Sequence, residues 1–228
     1  MKIDGLEFDI TRKNIKHFYI KVYPPQGQVR IICPQKLNNE AICQFTATKI
    51  DWIRKIQAKF QNQPRKPVLE YISGESCYFK GDRYLLNVIY TKTKPKVEIV
   101  ESQLNLYVRY GSIREQREQI LTNWYRQQLK AELPELIAKW EQIVKVKVSD
   151  WGVKKMKTRW GTCNVTTKKI WLNLELIKQP QHCLEYVVVH ELVHLLERYH
   201  NQRFWNYMTQ FMPGWQQYQA ELNSHLVN

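Results

Sequence analysis

The chain has 228 residues, of which 43% are hydrophobic and 12% aromatic, a composition typical of folded globular proteins and not of disordered ones. It contains no run of about 18 uncharged apolar residues, which argues against a membrane span, and residues 1–7 lack the apolar stretch of a secretory signal. The net charge is +14, with lysines and arginines spread along the chain. Such a surplus attracts polyanions, so we weigh weak nucleic-acid association against a merely basic surface.

Five scattered cysteines without a CxxC pair predict reduced thiols in a cytoplasmic protein and do not support a disulfide framework. The oligomeric state is not indicated by any feature of the sequence.

The first part of the chain has alternating strand-like segments. Residues 17–22 and 28–32 flank Pro24-Pro25-Gln26-Gly27, which predicts a hairpin. A helix follows, capped by Asn38 or Asn39, with apolar residues at helical spacing up to the proline-containing segment 63–67. Strand patterns then recur in four segments, at 68–72, 83–88, 97–100 and 104–108. No internal repeat is evident.

The second part is mainly helical. Ser112 is the expected cap of a long helix that Pro134 should kink or restart. Strands are expected near 144–148, 156–162 and 170–173, with a turn at 164–169 between the last two. Helices are expected at 180–197, at 201–211 and after Pro213.

These elements predict an α+β fold with a boundary near Gly111. Residues 1–111 form a β-rich amino-terminal region with one helix, and residues 112–228 form a helical catalytic domain with a small antiparallel sheet.

The strongest chemical signal is His190-Glu191-Leu192-Val193-His194. On a helix, histidines four residues apart lie on one face, where a single zinc ion can bind both nitrogens. Glu191 flanks the metal without binding it, so it can take a proton from a metal-activated water and deliver it to a leaving group. The HExxH pattern is the signature of zinc metalloproteases, and a polar pair in so apolar a run is costly unless a metal satisfies it.

A catalytic zinc site usually has a third protein ligand. His200 is the preferred candidate, and because it follows His194 by six residues, the helix must end before it. Glu197 is the competing candidate, but a ligand two turns along one rigid helix converges poorly on the ion, so hydrogen bonding to a ligand suits it better. It also stands where metzincins have glycine, which argues against that class.

Several segments together resemble the YgjP-like metallopeptidase family, which is related to the SprT-like and WLM zinc peptidases. They are Arg159–Asn164, Ile170-Trp171-Leu172-Asn173, Tyr186–His194, His200, and Phe204-Trp205, with looser matches at Lys49–Ile53, Gly74 and Gly81. The resemblance implies a zincin-like catalytic domain with His190, His194 and His200 as zinc ligands and Glu191 as general base.

By the same likeness, the strand containing Arg159, Trp160 and Gly161 is expected to bind an extended substrate by backbone pairing. Arg159 or Asn201 could stabilise the oxyanion of the tetrahedral intermediate. The alternative is structural, with Arg159 in an ion pair, Trp160 in the core and Gly161 in a bulge. Cys163 is not expected to act as a nucleophile.

The sequence therefore predicts a zinc-dependent metallopeptidase with peptide or protein substrates. One alternative is a zinc hydrolase of a non-peptide substrate such as a nucleotide phosphoanhydride, although no glycine-rich phosphate loop is visible. Another is a zinc-containing module associated with nucleic acid, against which the intact Glu191 argues.

Overall fold

The computed structural model describes residues 1–23, 26–62 and 69–225. The described residues form two compact units, the first extending to residue 62 and the second running from residue 69 to residue 225.

The first unit is a four-stranded sheet with two helices. Its elements are β1 (Lys2–Ile3), β2 (Leu6–Lys13), β3 (Tyr19–Tyr23), β4 (Gln28–Pro34), α1 (Asn39–Ala47) and α2 (Ile50–Asn62). The strand order is β1-β2-β4-β3, with β2 and β4 parallel. Its core is formed by residues from the strands and both helices: Phe8, Val29, Ile31, Cys33, Ile42, Ile50 and Ile53.

Two predictions for this unit are confirmed in outline. The hairpin joins β3 to β4, although Pro24 and Pro25 lie outside the described residues. Asn38 caps α1, and its side-chain oxygen accepts a hydrogen bond from the backbone N–H of Ala41 at 2.8 Å. The single predicted helix is in fact two, separated at Thr48 and Lys49; the segment 63–67 expected to end it lies outside the described residues.

The second unit begins with β5 (Ser76–Phe79), β6 (Asp82–Tyr90), β7 (Lys96–Val100), β8 (Gln103–Val108) and the long helix α3 (Arg114–Val144). The strand predicted at 68–72 does not form over 69–72, where Tyr71 has a positive φ of 55°; Val68 is outside the described residues. The cap of helix α3 is Ile113 and not the expected Ser112, and its backbone N–H donates to the side chain of Gln116 at 3.1 Å. The helix continues through Pro134 without the restart that was one of the two expectations there.

The two four-stranded sheets have the same topology. The second sheet has the order β5-β6-β8-β7, in which two antiparallel hairpins join through the parallel pair β6 and β8, as β2 and β4 join the hairpins of the first sheet. Each sheet is followed by helix. This repeated arrangement was not evident from sequence, because the hairpins differ in length and side chains.

The remainder of the second unit comprises β9 (Asp150–Lys154), β10 (Gly161–Asn164), β11 (Lys169–Asn173), a 3₁₀ helix at Leu174–Lys178, α4 (Gln181–Val193), α5 (Gln202–Phe211) and α6 (Trp215–His225). Strand β11 pairs antiparallel with β10 but parallel with β9, so the small sheet expected to be antiparallel is mixed. The strand expected at 144–148 is wrong, because Val144 is the last residue of α3. The strand expected at 156–162 is also wrong, because β10 begins only at Gly161.

The α+β class is confirmed by these mixed layers. One continuous apolar core joins the second sheet, α3, β9–β11 and the last three helices. The predicted boundary near Gly111 falls inside this second unit, because α3 packs against β7 and β8. Within the described ranges, no helix is long and apolar enough to cross a membrane.

Candidate metal centre

Helix α4 positions the first two histidines. Val187, Val188 and Val189 precede His190 and are buried on all sides, which explains why so apolar a run forms a helix inside the core instead of an amphipathic surface helix. The helix ends at Val193, and His194 is its C-cap residue. The chain then turns, as the spacing to His200 requires.

The three predicted ligands converge. His190 Nε2 lies 3.0 Å from His200 Nε2, and the three imidazoles each offer a nitrogen within 4.8 Å of the others. Two nitrogens bound tetrahedrally to zinc at their usual bond lengths are about 3.3 Å apart. The arrangement therefore fits one zinc ion.

The imidazoles are held neutral, the form that binds metal. Burial, with smaller contributions from the neighbouring His194 and His200, lowers the pKa of His190 to about 3. The pKa values of His194 and His200 are also lowered, chiefly by burial. Each ring can thus present a nitrogen lone pair.

The backbone after α4 orients His194. Its Nδ1 lies 3.2 Å from the carbonyl oxygen of Glu197, which fixes the proton on Nδ1 and leaves the lone pair on Nε2. The carboxylate of Glu197 accepts instead from the backbone N–H of Tyr199 at 3.3 Å. Glu197 therefore stabilises the turn with its carboxylate and orients His194 with its backbone carbonyl. Its side chain is not one of those that converge on the metal centre.

A fully buried phenylalanine touches all three histidines. The ring centroid of Phe204 lies 4.9 Å from that of His190, 4.7 Å from that of His194 and 4.7 Å from that of His200. Because the Nδ1 of His190 has no hydrogen-bond partner among the described residues, packing has to set the orientation of that ring. From the sequence, Phe204 was expected to be a packing residue, but its contact with the three histidines was not predicted.

Two tryptophans extend the support under the third histidine. His200 stacks on Trp205 at 5.4 Å, and Trp205 stacks on the buried Trp215 at 4.6 Å. His200 is exposed and lies outside the helices, so this stack supplies the rigidity that a helix gives the other two ligands.

Glu191 is buried beside the histidines, with only 4% of its surface exposed. Burial raises its pKa to about 8, opposed by the nearby charge of Arg159. Its Oε2 has no hydrogen-bond partner among the described residues. A buried carboxylate with a free oxygen and a pKa near neutrality can both accept and return a proton.

Gly161 makes room for that carboxylate. A β-carbon at this position would lie 2.8 Å from Cγ and 2.9 Å from Cδ of Glu191. Gly161 pairs in regular register with Leu172, so it is not the bulge that the structural alternative proposed. Position 161 must lack a side chain because the Glu191 side chain occupies that space.

A cleft of about 800 Å³ opens over the site. Arg159, Trp160 and Gly161 line it, together with β10 and all three histidines. Arg159 is exposed and forms no ion pair among the described residues, and Trp160 is half-buried with its indole N–H unpartnered. The guanidinium of Arg159 therefore remains available to substrate, whereas the indole N–H of Trp160 is itself buried. Arg198, which sequence reasoning did not single out, also lines the cleft.

Asn201, which was predicted to contact substrate, is instead the N-cap of α5. Its side-chain oxygen accepts a hydrogen bond from the backbone N–H of Phe204 at 3.1 Å. It is not among the described residues that line the cleft. Its side chain thus positions the helix that carries Phe204 and Trp205.

Cys163 lines the cleft but is a poor nucleophile. Burial, with a smaller contribution from Glu191, raises the pKa of its thiol to about 12. A second group of ligand-type residues, His182, Cys183 and Glu221, lies where α4 begins. There His182 Nε2 is already engaged 2.6 Å from Glu221 Oε2, so the three-histidine cluster is the better metal centre.

Comparison with known proteins agrees with this geometry. The profile of the YgjP-like metallopeptidase domain matches residues 16–225. The chain therefore belongs to the YgjP-like family of metal-dependent peptidases, as its motifs predicted. Among curated proteins, none matches the sequence significantly.

Two solved structures resemble part of the chain. The metallopeptidase zymogen abylysin of Pyrococcus abyssi is 18% identical, with 41% of this chain and 94% of that chain covered and a TM-score of 0.39. The metallopeptidase zymogen jannalysin of Methanocaldococcus jannaschii is also 18% identical, with 42% and 97% covered and a TM-score of 0.38. Each likeness covers less than half of the chain.

Proposed function

We propose that the protein is a zinc-dependent metallopeptidase in which His190, His194 and His200 bind the metal and Glu191 is the general base. The observation that carries this proposal is the burial of the Glu191 carboxylate beside three converging neutral imidazoles at an open cleft. When bound, zinc supplies Lewis-acid polarisation of a carbonyl and makes water more acidic.

Glu191 would move the protons. Its free Oε2 accepts a proton from the attacking water, and the protonated acid then donates it to the departing amine. The raised pKa places both forms of the carboxyl group within reach near neutral pH. The missing side chain of Gly161 leaves the space that the Glu191 side chain occupies beside the cleft.

Strand β10 offers a platform for an extended peptide. It lies at the edge of its three-stranded sheet, so one side of its backbone has no partner strand in the described structure. Its residues line the cleft from Gly161 to Asn164. A peptide pairing with that edge would pass beside the histidines. Arg159, near enough to lower the pKa of Glu191, is the candidate for stabilising negative charge on the substrate carbonyl.

Zinc follows from the donor set, since three imidazoles suit it well, although other divalent ions bind the same ligands. The five free cysteines support a cytoplasmic location, where thiols stay reduced. The basic surface remains a candidate for weak nucleic-acid association.

The test compares purified wild type with Glu191→Gln, both loaded with zinc, on an unfolded protein substrate. The proposal predicts cleavage by the wild type and a loss of at least about 10³-fold in kcat for the variant at equal zinc content. Nucleoside triphosphates serve as the competing substrate. Hydrolysis of these with no cleavage of protein would replace the peptidase proposal by the phosphoanhydride alternative.

A further inference from the structure

The charges around the cleft are one-sided. Among the described residues that line it, Arg159 and Arg198 carry positive charge and Glu191 is the sole carboxylate. That carboxylate is buried against Gly161. Besides the three histidines, the remaining polar lining is uncharged and includes Thr162, Asn164, Thr166, Tyr186, Gln219 and Asn223. A substrate in the cleft therefore meets exposed positive charge and no exposed negative charge.

The two arginines come from different segments of the second unit. Arg159 immediately precedes Trp160 and β10, and Arg198 lies in the turn between α4 and α5. Both are exposed. The guanidinium carbon of Arg198 lies 5.5 Å from the centroid of the Tyr199 ring.

Neither arginine forms a close ion pair in the described structure, although Arg159 is near enough to Glu191 to lower the pKa of its carboxyl group. By contrast, Arg30 and Arg54 lie 2.8 Å and 2.7 Å from the carboxylates of Asp9 and Asp4. An unpaired guanidinium offers a fork of N–H donors that matches a carboxylate in two-point contact.

We infer that the cleft selects polypeptide segments with aspartate or glutamate beside the scissile bond, through contacts of those carboxylates with Arg159 and Arg198. The inference deepens the proposed peptidase function and rests on it for the cleavage step. An exposed ion pair changes affinity by about two- to fivefold, so the two arginines together give a preference of about tenfold at low salt.

The experiment uses three fluorogenic peptides that differ only in the residues flanking one bond: glutamate, glutamine or lysine. The zinc-loaded full chain should cleave them with kcat/KM in the order glutamate, glutamine, lysine, and the spread should shrink at high salt. Arg198→Gln should reduce the glutamate-to-glutamine ratio about two- to fivefold, whereas Arg203→Gln, on the first turn of α5 and outside the cleft lining, should leave it unchanged.

Arg159→Gln separates specificity from catalysis. If Arg159 only stabilised the oxyanion, this variant would lower kcat for all three peptides alike and keep their ratios. The inference predicts that the glutamate-to-glutamine ratio also falls. Equal kcat/KM for the glutamate and glutamine peptides in the wild type, or a preference for lysine, overturns the inference.

Binding to the zinc-loaded Glu191→Gln variant provides a readout that does not need cleavage. Tighter binding of the glutamate peptide, weakened by Arg198→Gln, supports the acidic selectivity even if the wild type cleaves nothing, in which case only the peptidase proposal fails. A single-stranded oligothymidylate is the competitor control. If it displaces the glutamate peptide better than a glutamate oligomer of equal charge, the arginines serve a polynucleotide and the inference is wrong.

Discussion

The side chain of Glu191 fills the space that a β-carbon on Gly161 would occupy, since that carbon would stand 2.8 Å from the Cγ of the glutamate. Gly161 is not among the glycines with positive φ, and the three atoms nearest to an added β-carbon all belong to Glu191, so the glutamate and not backbone strain opposes a side chain there. An edge strand and a helix thereby fix the position of the proposed base.

We predict that Gly161→Ala lowers kcat about 10²-fold without loss of zinc, because the methyl group pushes the Glu191 carboxylate out of line. Peptidase kinetics with zinc analysis check this. The combination with Glu191→Asp is the control, since the shorter acid vacates part of the space. The added alanine should then cost less activity than it does in the wild type. A fully active Gly161→Ala variant would show that the contact does not constrain the base.

Phe204→Ala should loosen all three histidines at once. We expect zinc affinity to fall about 10- to 100-fold, together with a loss of about 3–5 kcal/mol in the free energy of unfolding. Chelator competition measures the first quantity and urea denaturation the second. Leu129→Ala, a change at a fully buried position of α3, is the matched control. It should lower stability by a similar amount but leave zinc affinity unchanged. Equal zinc affinities in the two variants would contradict a role for Phe204 in positioning the ligands.

Cys163 should be dispensable. Its raised pKa keeps the thiol protonated at neutral pH, so Cys163→Ala is expected to keep kcat within about twofold of the wild type. The wild-type thiol should also react with iodoacetamide much more slowly than a free cysteine. Inactivation by alkylation at Cys163, paired with an inactive alanine variant, would indicate thiol chemistry.

Asn173 should stabilise the segment that leads into β10. Its buried side chain donates to the carbonyl oxygens of Met156 and Arg159 and accepts from the backbone N–H groups of Met156 and Glu175. We expect Asn173→Ala to lower the free energy of unfolding by about 2–3 kcal/mol, because buried backbone groups lose their partners. Urea denaturation measures this. Asn173→Asp, which replaces the donating amide nitrogen by a carboxylate oxygen facing the carbonyl oxygens of Met156 and Arg159, should cost at least as much as alanine. A change below about 0.5 kcal/mol for alanine would refute the assignment.

The sequence was most informative where the determinants are local. The spacing of His190 and His194 predicted a helix, and the distance to His200 required that helix to end, because both follow from helix geometry alone. The contacts of Gly161 and Phe204 depend on how β10 and α5 pack against α4, so no spacing rule could reveal them. Asn201 was assigned to substrate for a related reason, since its capping role becomes visible only once the start of α5 is known.

The same reasoning explains the errors in the fold. The matching topologies of the two four-stranded sheets rest on strand pairings between distant segments, which side-chain patterns do not encode. Helix α3 continues through Pro134 because tertiary packing on its buried face outweighs the local effect of the proline.

The most direct test of the central claim is the metal content of the purified wild type, His194→Ala and Glu191→Gln proteins after exposure to zinc and removal of excess ion. We predict about one zinc per chain in the wild type and in Glu191→Gln, and none in His194→Ala, with peptidase activity only in the wild type. A wild-type protein that takes up no zinc, or a His194→Ala variant that binds it as tightly, would contradict the three-histidine centre.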